Sequence, residues 1–212
     1  MIAVLVVDDQ RLVRAGLRML CTAAEDMTVS GEASNGIEAV ALAAELDPDV
    51  ILMDLRMPGL DGIGATRQIV KSGRRARILV LTTFDDDDHL YPALAAGASG
   101  FLVKDTEPAE LLGAIRRTAD GDMVFSPELL RRVVDRAVAG SDPGTAATEE
   151  VSLTGRESQV LALVAEGKSN QEIADALHVG VTTVKTHVAN LMSKTGCDNR
   201  VRLAVYYLQN RR

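Results

Sequence analysis

The stretch IAVLVVDD (residues 2–9) decides the fold of the first half of the chain. Its six apolar residues are mostly β-branched, and so short a run ending at polar residues indicates a strand buried on both faces of a sheet. Three later runs have the same form and also stop at a polar residue: VILMD (50–54), ILVLT (78–82) and FLVK (101–104). Ligands of an open α/β sheet bind outside the carboxyl ends of its strands, so these polar residues are expected to meet at one edge.

Strand-like and helix-like segments alternate five times between residue 1 and about residue 120. The pattern predicts strands near 2–7, 27–33, 49–53, 76–81 and 99–103, and helices near 10–24, 36–46, 60–72, 86–96 and 107–120. Such alternation implies right-handed crossovers between parallel strands, with helices on both faces of the sheet. We therefore predict an α/β fold class with a doubly wound five-stranded parallel sheet, followed by a small all-α domain.

The second half of the chain predicts helices only. A connecting helix is expected to begin at Ser126-Pro127, because Ser is a good N-cap and Pro suits the first helical position. The small, polar stretch AGSDPGTAATEE that follows it predicts a linker. Further helices are predicted near 154–166, 170–177, 182–194 and 199–209. The predicted domains are 1–122, a connecting helix and linker over 123–150, and a helix-turn-helix domain over 151–212.

Charge is distributed unevenly along the chain. Residues 1–125 carry 12 Lys+Arg and 20 Asp+Glu, whereas residues 151–212 carry 8 and 5. An acidic body with a basic end favours a nucleic-acid contact confined to the C-terminal domain. No apolar run approaches the roughly 20 residues of a membrane helix, and the N-terminus reaches Asp too early for a signal peptide. We expect a cytoplasmic protein, without a membrane partner and without a disulfide between its two distant cysteines.

The polar residues at the strand ends suit phosphoryl transfer. A carboxylate is a competent nucleophile toward phosphorus, and we assign that role to Asp54. Asp8 and Asp9 would help to hold a magnesium ion, Mg²⁺, which favours carboxylates, water and phosphate oxygens. Lys104 would pair with one phosphoryl oxygen. Thr82 would hydrogen-bond another, and it is preferred to the adjacent Thr83 because it directly ends the run ILVL. The backbone carbonyl group of Arg56 is a further candidate metal ligand.

This half of the chain resembles the receiver domain of bacterial response regulators. The resemblance rests on the acidic pair after the first strand and on LMDLRMPGLDG (52–62), LTTF (81–84) and GFLVKD (100–105). It implies a sheet of flavodoxin-like topology, with Asp54 as the phosphoacceptor and Asp8 and Asp9 as metal ligands. It also implies switch and phosphate-pairing roles for Thr82 and Lys104, and an aromatic switch at Phe101. The family often has Pro after the lysine, where this chain has Asp105.

The segment TTVKTHVANLMSK (182–194) is the candidate DNA-recognition helix. Val184, Val188 and Leu191 recur at helical spacing and are expected to face a core. The outward face would then present Thr182, Thr183, Lys185, Thr186, Ala189 and Asn190. Such a face suits the major groove of double-stranded DNA. From periodicity alone, a solvated face of a small helical bundle stays an alternative.

Residues 151–212 resemble a LuxR-type helix-turn-helix domain, through LTGRESQVLALVAEGKSNQEIADAL (153–177) and VGVTTVKTHVANLMSKTG (179–196). The whole chain is thus similar to a response regulator of the NarL/FixJ type. The resemblance implies base contacts from Lys185 and Thr186. The expected contacts to the DNA backbone are Thr182, Thr183, Asn190, Lys194 and Arg200. Ala189 stands where a basic residue is common, and the last helix matches the family's DNA-bound dimer contact.

The expected function is that of a transcription regulator switched by phosphorylation. A sensor histidine kinase would phosphorylate Asp54, which would promote homodimer formation and DNA binding. Apart from Mg²⁺-dependent self-phosphorylation and dephosphorylation at Asp54, the chain is not expected to be an enzyme. Two alternatives stay open: a metal-dependent phosphohydrolase with a helical accessory domain, although no DxD motif follows the first strand, and a LuxR-type regulator that senses an acyl lactone.

Overall fold

The computed structural model describes residues 1–82, 87–125, 152–197 and 199–210. The chain divides into two compact units, Met1–Asp120 and Gly121–Arg212. The predicted connecting helix from Ser126 and the predicted linker over 139–150 lie outside the described residues.

The first unit is built on five parallel strands in the order β2-β1-β3-β4-β5. The strands are β1 (Ile2–Val7), β2 (Met27–Ala33), β3 (Val50–Asp54), β4 (Arg77–Thr82) and β5 (Gly100–Val103). All of β3 is buried, as expected of a central strand that helices cover on both faces. The predicted doubly wound parallel sheet is confirmed, with β3 reaching one residue further than expected, to Asp54 itself.

Five helices alternate with these strands: α1 (Arg11–Thr22), α2 (Gly36–Leu46), α3 (Gly62–Lys71), α4 (Asp87–Ala96) and α5 (Pro108–Ala119). Asn35 and Asp61 cap α2 and α3 by accepting hydrogen bonds from the backbone of the following helix. Gly62 lets α3 begin against the end of β3, because a Cβ atom there would collide with the carbonyl oxygen of Asp54. The strand that ends at Asp54 is therefore tied closely to the helix after it.

The described helices of the second unit are α6 (Gly155–Ala165), α7 (Asn170–Leu177), α8 (Val181–Thr195) and α9 (Arg200–Asn210). Thr154 with Glu157, and Ser169 with Glu172, form complete capping boxes at the starts of α6 and α7. His178 ends α7 in the left-handed conformation, with φ 52°, and α8 begins three residues later. These features produce the helix-turn-helix geometry that the sequence predicts.

Candidate functional site

The order of the sheet brings together the strand ends that the sequence singled out. β1, β3, β4 and β5 are consecutive neighbours, and their carboxyl ends lie at the same edge. Lys104, just after β5, reaches Asp8, just after β1, although 96 residues separate them along the chain. The fold therefore collects these polar groups into one pocket, which we call the acidic pocket: Asp8, Asp9, Asp54 and Lys104.

The charged groups of the acidic pocket are in direct contact. Lys104 Nζ lies 2.6 Å from Asp8 Oδ2 and 3.0 Å from Asp54 Oδ1. Carboxylate oxygens of Asp8, Asp9 and Asp54 all lie within 4.8 Å of one another. Asp8 and Asp54 are 1% and 5% exposed, whereas Asp9 is exposed. Two buried carboxylates thus share a single ammonium group, among the residues described, with a third carboxylate at the mouth.

The electrostatics of the pocket reflect this imbalance. Burial raises the pKa of Asp54, and the nearby carboxylates of Asp8 and Asp9 add to the rise, while Lys104 opposes it. Burial by itself would lower the pKa of Lys104, but its hydrogen bonds to Asp8 and Asp54 outweigh burial, and its pKa is raised. The ammonium is therefore firmly charged, and the ionised form of Asp54 lacks full compensation. A divalent cation with a preference for oxygen ligands fits this set of donors.

The turn that carries Asp8 and Asp9 has its own supports. The backbone N–H of Gln10 donates to Asp8 Oδ1 over 2.8 Å. Arg14 Nη1 donates to the backbone carbonyl oxygens of Asp8 and Asp9, over 2.7 and 3.1 Å. Arg14 was not among the site residues predicted from sequence. Its position in the first turn of α1, beside the acidic pair, was the only available signal.

Three further predicted residues lie in or just after the strands whose ends form the pocket. Thr82 is buried at the end of β4, and its carbonyl oxygen accepts a 2.7 Å hydrogen bond from the backbone N–H of Lys104. Phe101 is buried in β5 opposite Val80. Arg56 lies in the loop after β3, with an exposed side chain. Their functional roles stay predictions.

The outward face predicted for the recognition helix is at the surface of the second unit. Val184, Val188 and Leu191 of α8 are buried, as the spacing predicted. All the DNA contacts predicted on this helix are exposed: Thr182, Thr183, Lys185, Thr186, Ala189, Asn190 and Lys194. The Thr186 hydroxyl donates to the carbonyl oxygen of Thr182, one turn earlier, over 3.0 Å.

Lys194 and Arg200 each lie close to a carboxylate within the second unit. Lys194 Nζ lies 2.7 Å from a carboxylate oxygen of Glu157 while its side chain stays 40% exposed. The Lys194 hydrogen bond, with those of Thr154, lowers the pKa of Glu157 to about 2. This ion pair joins the start of α6 to the last turn of α8.

Arg200, predicted to reach a DNA phosphate, lies inside the second unit, and its DNA contact stays a prediction. Arg200 is buried, and its guanidinium donates to Asn170 Oδ1 over 2.6 Å and to the carbonyl oxygen of Lys168 over 2.7 Å. Asp122 lies 3.7 Å from the same guanidinium and accepts a buried 2.7 Å hydrogen bond from the Asn170 backbone. The Nη1 and Nη2 groups of Arg200 thus make contacts inside the second unit.

Within the described residues, the helices are too short or too polar to span a lipid bilayer. Asp8, Asp9 and Asp54 are also the one group of three or more acidic, His or Cys residues there that is close enough to share a metal ion.

Comparison with protein families matches both units of the chain. The family described as "Response regulator receiver domain" matches residues 4–116, and "Bacterial regulatory proteins, luxR family" matches residues 151–207. Transcriptional regulatory protein LiaR of Bacillus subtilis is 45% identical over 210 residues, which cover 99% of this chain and 98% of LiaR. Response regulator protein VraR of Staphylococcus aureus is 41% identical over 209 residues, with coverage of 99% and 97%.

Solved structures give the same result. The response regulator ChrA of a heme-sensing two-component system is similar with a TM-score of 0.55 and 34% identity, covering 99% of this chain and 98% of ChrA. A LuxR-family two-component response regulator from Aurantimonas sp. is similar with a TM-score of 0.60 and 36% identity, covering 65% of this chain and 99% of that one.

Proposed function

Since this chain belongs to the two-component response regulators that join a receiver domain to a LuxR-type DNA-binding domain, we propose that phosphorylation of Asp54 by a sensor histidine kinase switches its dimerisation and its binding to specific double-stranded DNA. The receiver match over residues 4–116 argues against both the phosphohydrolase and the lactone-sensing alternatives.

The contact between Lys104 Nζ and Asp54 Oδ1, at 3.0 Å in a buried pocket, is the observation that supports this proposal most. A carboxylate oxygen of Asp54 attacks the phosphorus of a phosphorylated kinase histidine. The new P–O bond forms as the P–N bond breaks, and its electron pair returns to the imidazole nitrogen. Lys104 and the Thr82 hydroxyl would hold the oxygens of the transferred group, since phosphoryl transfer depends mainly on positioning and charge neutralisation.

Asp8, Asp9 and Asp54, with the backbone carbonyl group of Arg56, would hold Mg²⁺. The bound ion would neutralise charge on the phosphoryl oxygens. The oxygen donors and their excess negative charge fit this ion. Any enzymatic activity would be limited to Mg²⁺-dependent self-phosphorylation and dephosphorylation of Asp54.

The added phosphoryl group would then bias two arrangements of the receiver surface formed by α4, β5 and α5. The Thr82 side chain would move towards the new negative charge, and the Phe101 side chain would change its position in response. Such a local change of charge biases an element that has two stable arrangements. We propose that this change promotes a homodimer, which presents two recognition helices to one DNA duplex. A kinase substrate that binds DNA in this way would work in the cytoplasm.

Recognition of DNA is proposed for the exposed face of α8. Lys185 and Thr186 would contact base edges, while Thr182, Thr183 and Asn190 would contact the phosphate backbone. Ala189 would lie in the same interface without a charge to offer. Lys194 would contact the phosphate backbone through the exposed part of its side chain while it stays paired with Glu157.

The test compares wild type with Asp54→Asn before and after treatment with acetyl phosphate and Mg²⁺. Mass in solution measures dimer formation, and affinity is measured on duplex DNA that the treated wild type has enriched from a random pool. We expect wild type alone to gain a phosphoryl group, dimerise and bind tighter. Asp47→Asn, an exposed Asp outside the acidic pocket, is the matched control and should behave as wild type. A wild type that gains nothing over Asp54→Asn would refute the switch.

A further inference from the structure

The Arg14 side chain contacts the backbone of the turn that carries Asp8 and Asp9. Its Nη1 atom donates to the carbonyl oxygens of both Asp8 and Asp9, and the side chain is only 16% exposed. Its Nε atom lies 3.7 Å from Glu32 Oε2, on the neighbouring strand β2. One guanidinium thus connects β2 and α1 with the turn that follows β1.

We propose that Arg14 is a positioning residue for the Mg²⁺ site. This inference rests on the proposed function, because it concerns the metal ligands named there. Arg14 fixes the backbone of two consecutive ligands, so that their carboxylates converge on Asp54. It approaches carbonyl oxygens and not the carboxylates themselves, and thereby leaves the carboxylate oxygens for the cation.

The two carboxylates depend on this support to different degrees. Asp8 is buried, and its two oxygens already accept hydrogen bonds from Gln10 N and Lys104 Nζ. Asp9 is exposed, so packing does little to orient it. Its direction is set mainly by the backbone that carries it, and Arg14 holds that backbone at the Asp9 carbonyl. Asp9 is therefore the ligand whose position should suffer most when Arg14 is removed.

Arg14 is itself held in place from two directions. Its backbone N–H donates to the carbonyl oxygen of Gln10 in the first turn of α1, over 3.1 Å. Glu32 lies beside its guanidinium, and the second carboxylate oxygen of Glu32 is 3.1 Å from Arg18 Nε. This arrangement resembles the outer-shell contacts that orient metal ligands in proteins, whose loss typically costs about 10–100-fold in metal affinity.

The charge of Arg14 and its positioning role have opposite expected effects on Mg²⁺ affinity. Arg14 is a cation near a site for another cation, so by charge alone its removal would strengthen Mg²⁺ binding. If Arg14 positions the ligands, its removal weakens Mg²⁺ binding instead. The sign of the change therefore separates the two roles.

The experiment measures Mg²⁺ binding to the full chain by calorimetry, with no phosphodonor present. Arg14→Met should raise the dissociation constant about tenfold or more. Arg18→Met is the matched control, because it removes an equal charge from the same helix and breaks an ion pair with the same residue, Glu32. Arg18 is 58% exposed, whereas Arg14 donates to the backbone carbonyl groups of Asp8 and Asp9. Arg18→Met should bind Mg²⁺ as wild type does, or slightly tighter.

Arg14→Lys guards against a misfolded Met variant. It keeps the charge but presents a single ammonium in place of the planar guanidinium, so binding should be weaker than in wild type and tighter than in Arg14→Met. Unchanged or tighter binding in either Arg14 variant would overturn the inference. Asp9→Asn distinguishes a deeper failure: if it leaves Mg²⁺ binding unchanged, the proposed metal site is wrong, whereas if it weakens binding and Arg14→Met does not, only the role of Arg14 fails.

Discussion

The two compact units each bury a charged cluster, and the two clusters differ in their balance of charge. In the first unit, Asp8 and Asp54 are buried around Lys104, with Asp9 beside them at the surface. In the second unit, Asp122 lies beside Arg200, and the amide of Asn170 bridges them through its backbone N–H and its side-chain oxygen. Among the described residues, the first cluster has an excess of negative charge, whereas the second pairs one anion with one cation.

This difference separates a pocket whose buried charge exceeds what the protein compensates from a cluster in which the protein pairs the anion with a cation. Buried charges are costly unless they are paired and hydrogen-bonded, so an uncompensated cluster persists only where another function favours it. In the acidic pocket, a cation and a phosphoryl group would supply the missing partners. In the second unit the protein supplies them itself, and the cluster then fixes the start of α7 relative to the start of α9.

The largest effect is expected from breaking the balanced cluster with Asp122→Ala. Arg200 would be left with a buried charge and the Asn170 N–H without its acceptor, and breaking a buried ion pair typically costs about 3–5 kcal/mol. The free energy of unfolding should fall in the second unit alone. Hydrogen exchange of the full chain measures this unit by unit, through amides in α7 and α9 against those in β1 and β3.

Asp120→Ala is the control for this experiment, since Asp120 is an exposed carboxylate two residues earlier in the chain. It should leave exchange in α7 and α9 unchanged. Asp122 precedes the region that matches the luxR family, residues 151–207. Equal exchange in Asp122→Ala and wild type would mean that residues before 151 do not support the helix-turn-helix, and that the cluster contributes nothing to its stability.

A smaller effect of the opposite sign is expected in the unbalanced cluster. Burial, with Asp8 and Asp9 nearby, raises the pKa of Asp54 in the folded chain above its ordinary value of 3.8. A raised carboxylate pKa means that stability is fully present at low pH and falls as pH rises through the folded pKa. At neutral pH and without metal, ionised Asp54 therefore destabilises the first unit, and Asp54→Asn should stabilise it.

Hydrogen exchange of β1 and β3 amides at pH 7 in EDTA measures this gain. It should be smaller than the loss at Asp122, because Lys104 already compensates part of the repulsion. Added Mg²⁺ should stabilise wild type more than Asp54→Asn, which narrows the difference between them. The control Asp47→Asn changes an exposed carboxylate and should show neither effect. A destabilised Asp54→Asn in EDTA would show that the pocket is balanced without a cation.

Most of the acidic pocket could be predicted from sequence because its signals are local. Each of Asp8, Asp54 and Lys104 ends or follows a short apolar run, and the rule for parallel sheets places the ends of such runs at one edge. The exposed face of α8 could be predicted equally well, since a helical period of 3.6 residues places Val184 and Val188 on one face and Thr182 and Lys185 on the other. In both regions, position within one element decides where a side chain lies.

The contacts of Arg14 and Arg200 could not be predicted in the same way. Helix α1 contains Arg11, Arg14 and Arg18, and nothing in the sequence shows which of them reaches back to two backbone carbonyl groups. Arg200 begins the last helix, and from the family resemblance of that helix it was expected to contact the DNA backbone. Its partners, the Asn170 side chain and a backbone carbonyl group, lie 30 and 32 residues earlier. Such contacts depend on packing between elements, which a residue's own neighbours do not reveal.

The smallest effect is expected at the pair of Glu157 and Lys194, which is balanced like the Asp122 cluster but partly exposed. The hydrogen bond from Lys194, together with those from Thr154, lowers the pKa of Glu157 from 4.5 to about 2. A lowered carboxylate pKa contributes stability above the unfolded value, and that stability is lost as pH falls through the folded one. Acid should therefore weaken the second unit between about pH 4.5 and pH 2. NMR signals of α6 and α8 followed through an acid titration measure this loss.

Lys194→Met should move the loss of these signals to higher pH, because the Glu157 carboxylate then keeps the hydrogen bonds from the Thr154 backbone N–H and hydroxyl but loses the one from Lys194. Lys168→Met, which removes an exposed lysine of the same unit, should leave the acid titration unchanged. The shift should be modest, since water screens a pair whose lysine is 40% exposed. If Lys194→Met instead destabilised the second unit at pH 7 as strongly as Asp122→Ala does, partial exposure would not weaken the Glu157–Lys194 pair relative to the buried Asp122–Arg200 pair.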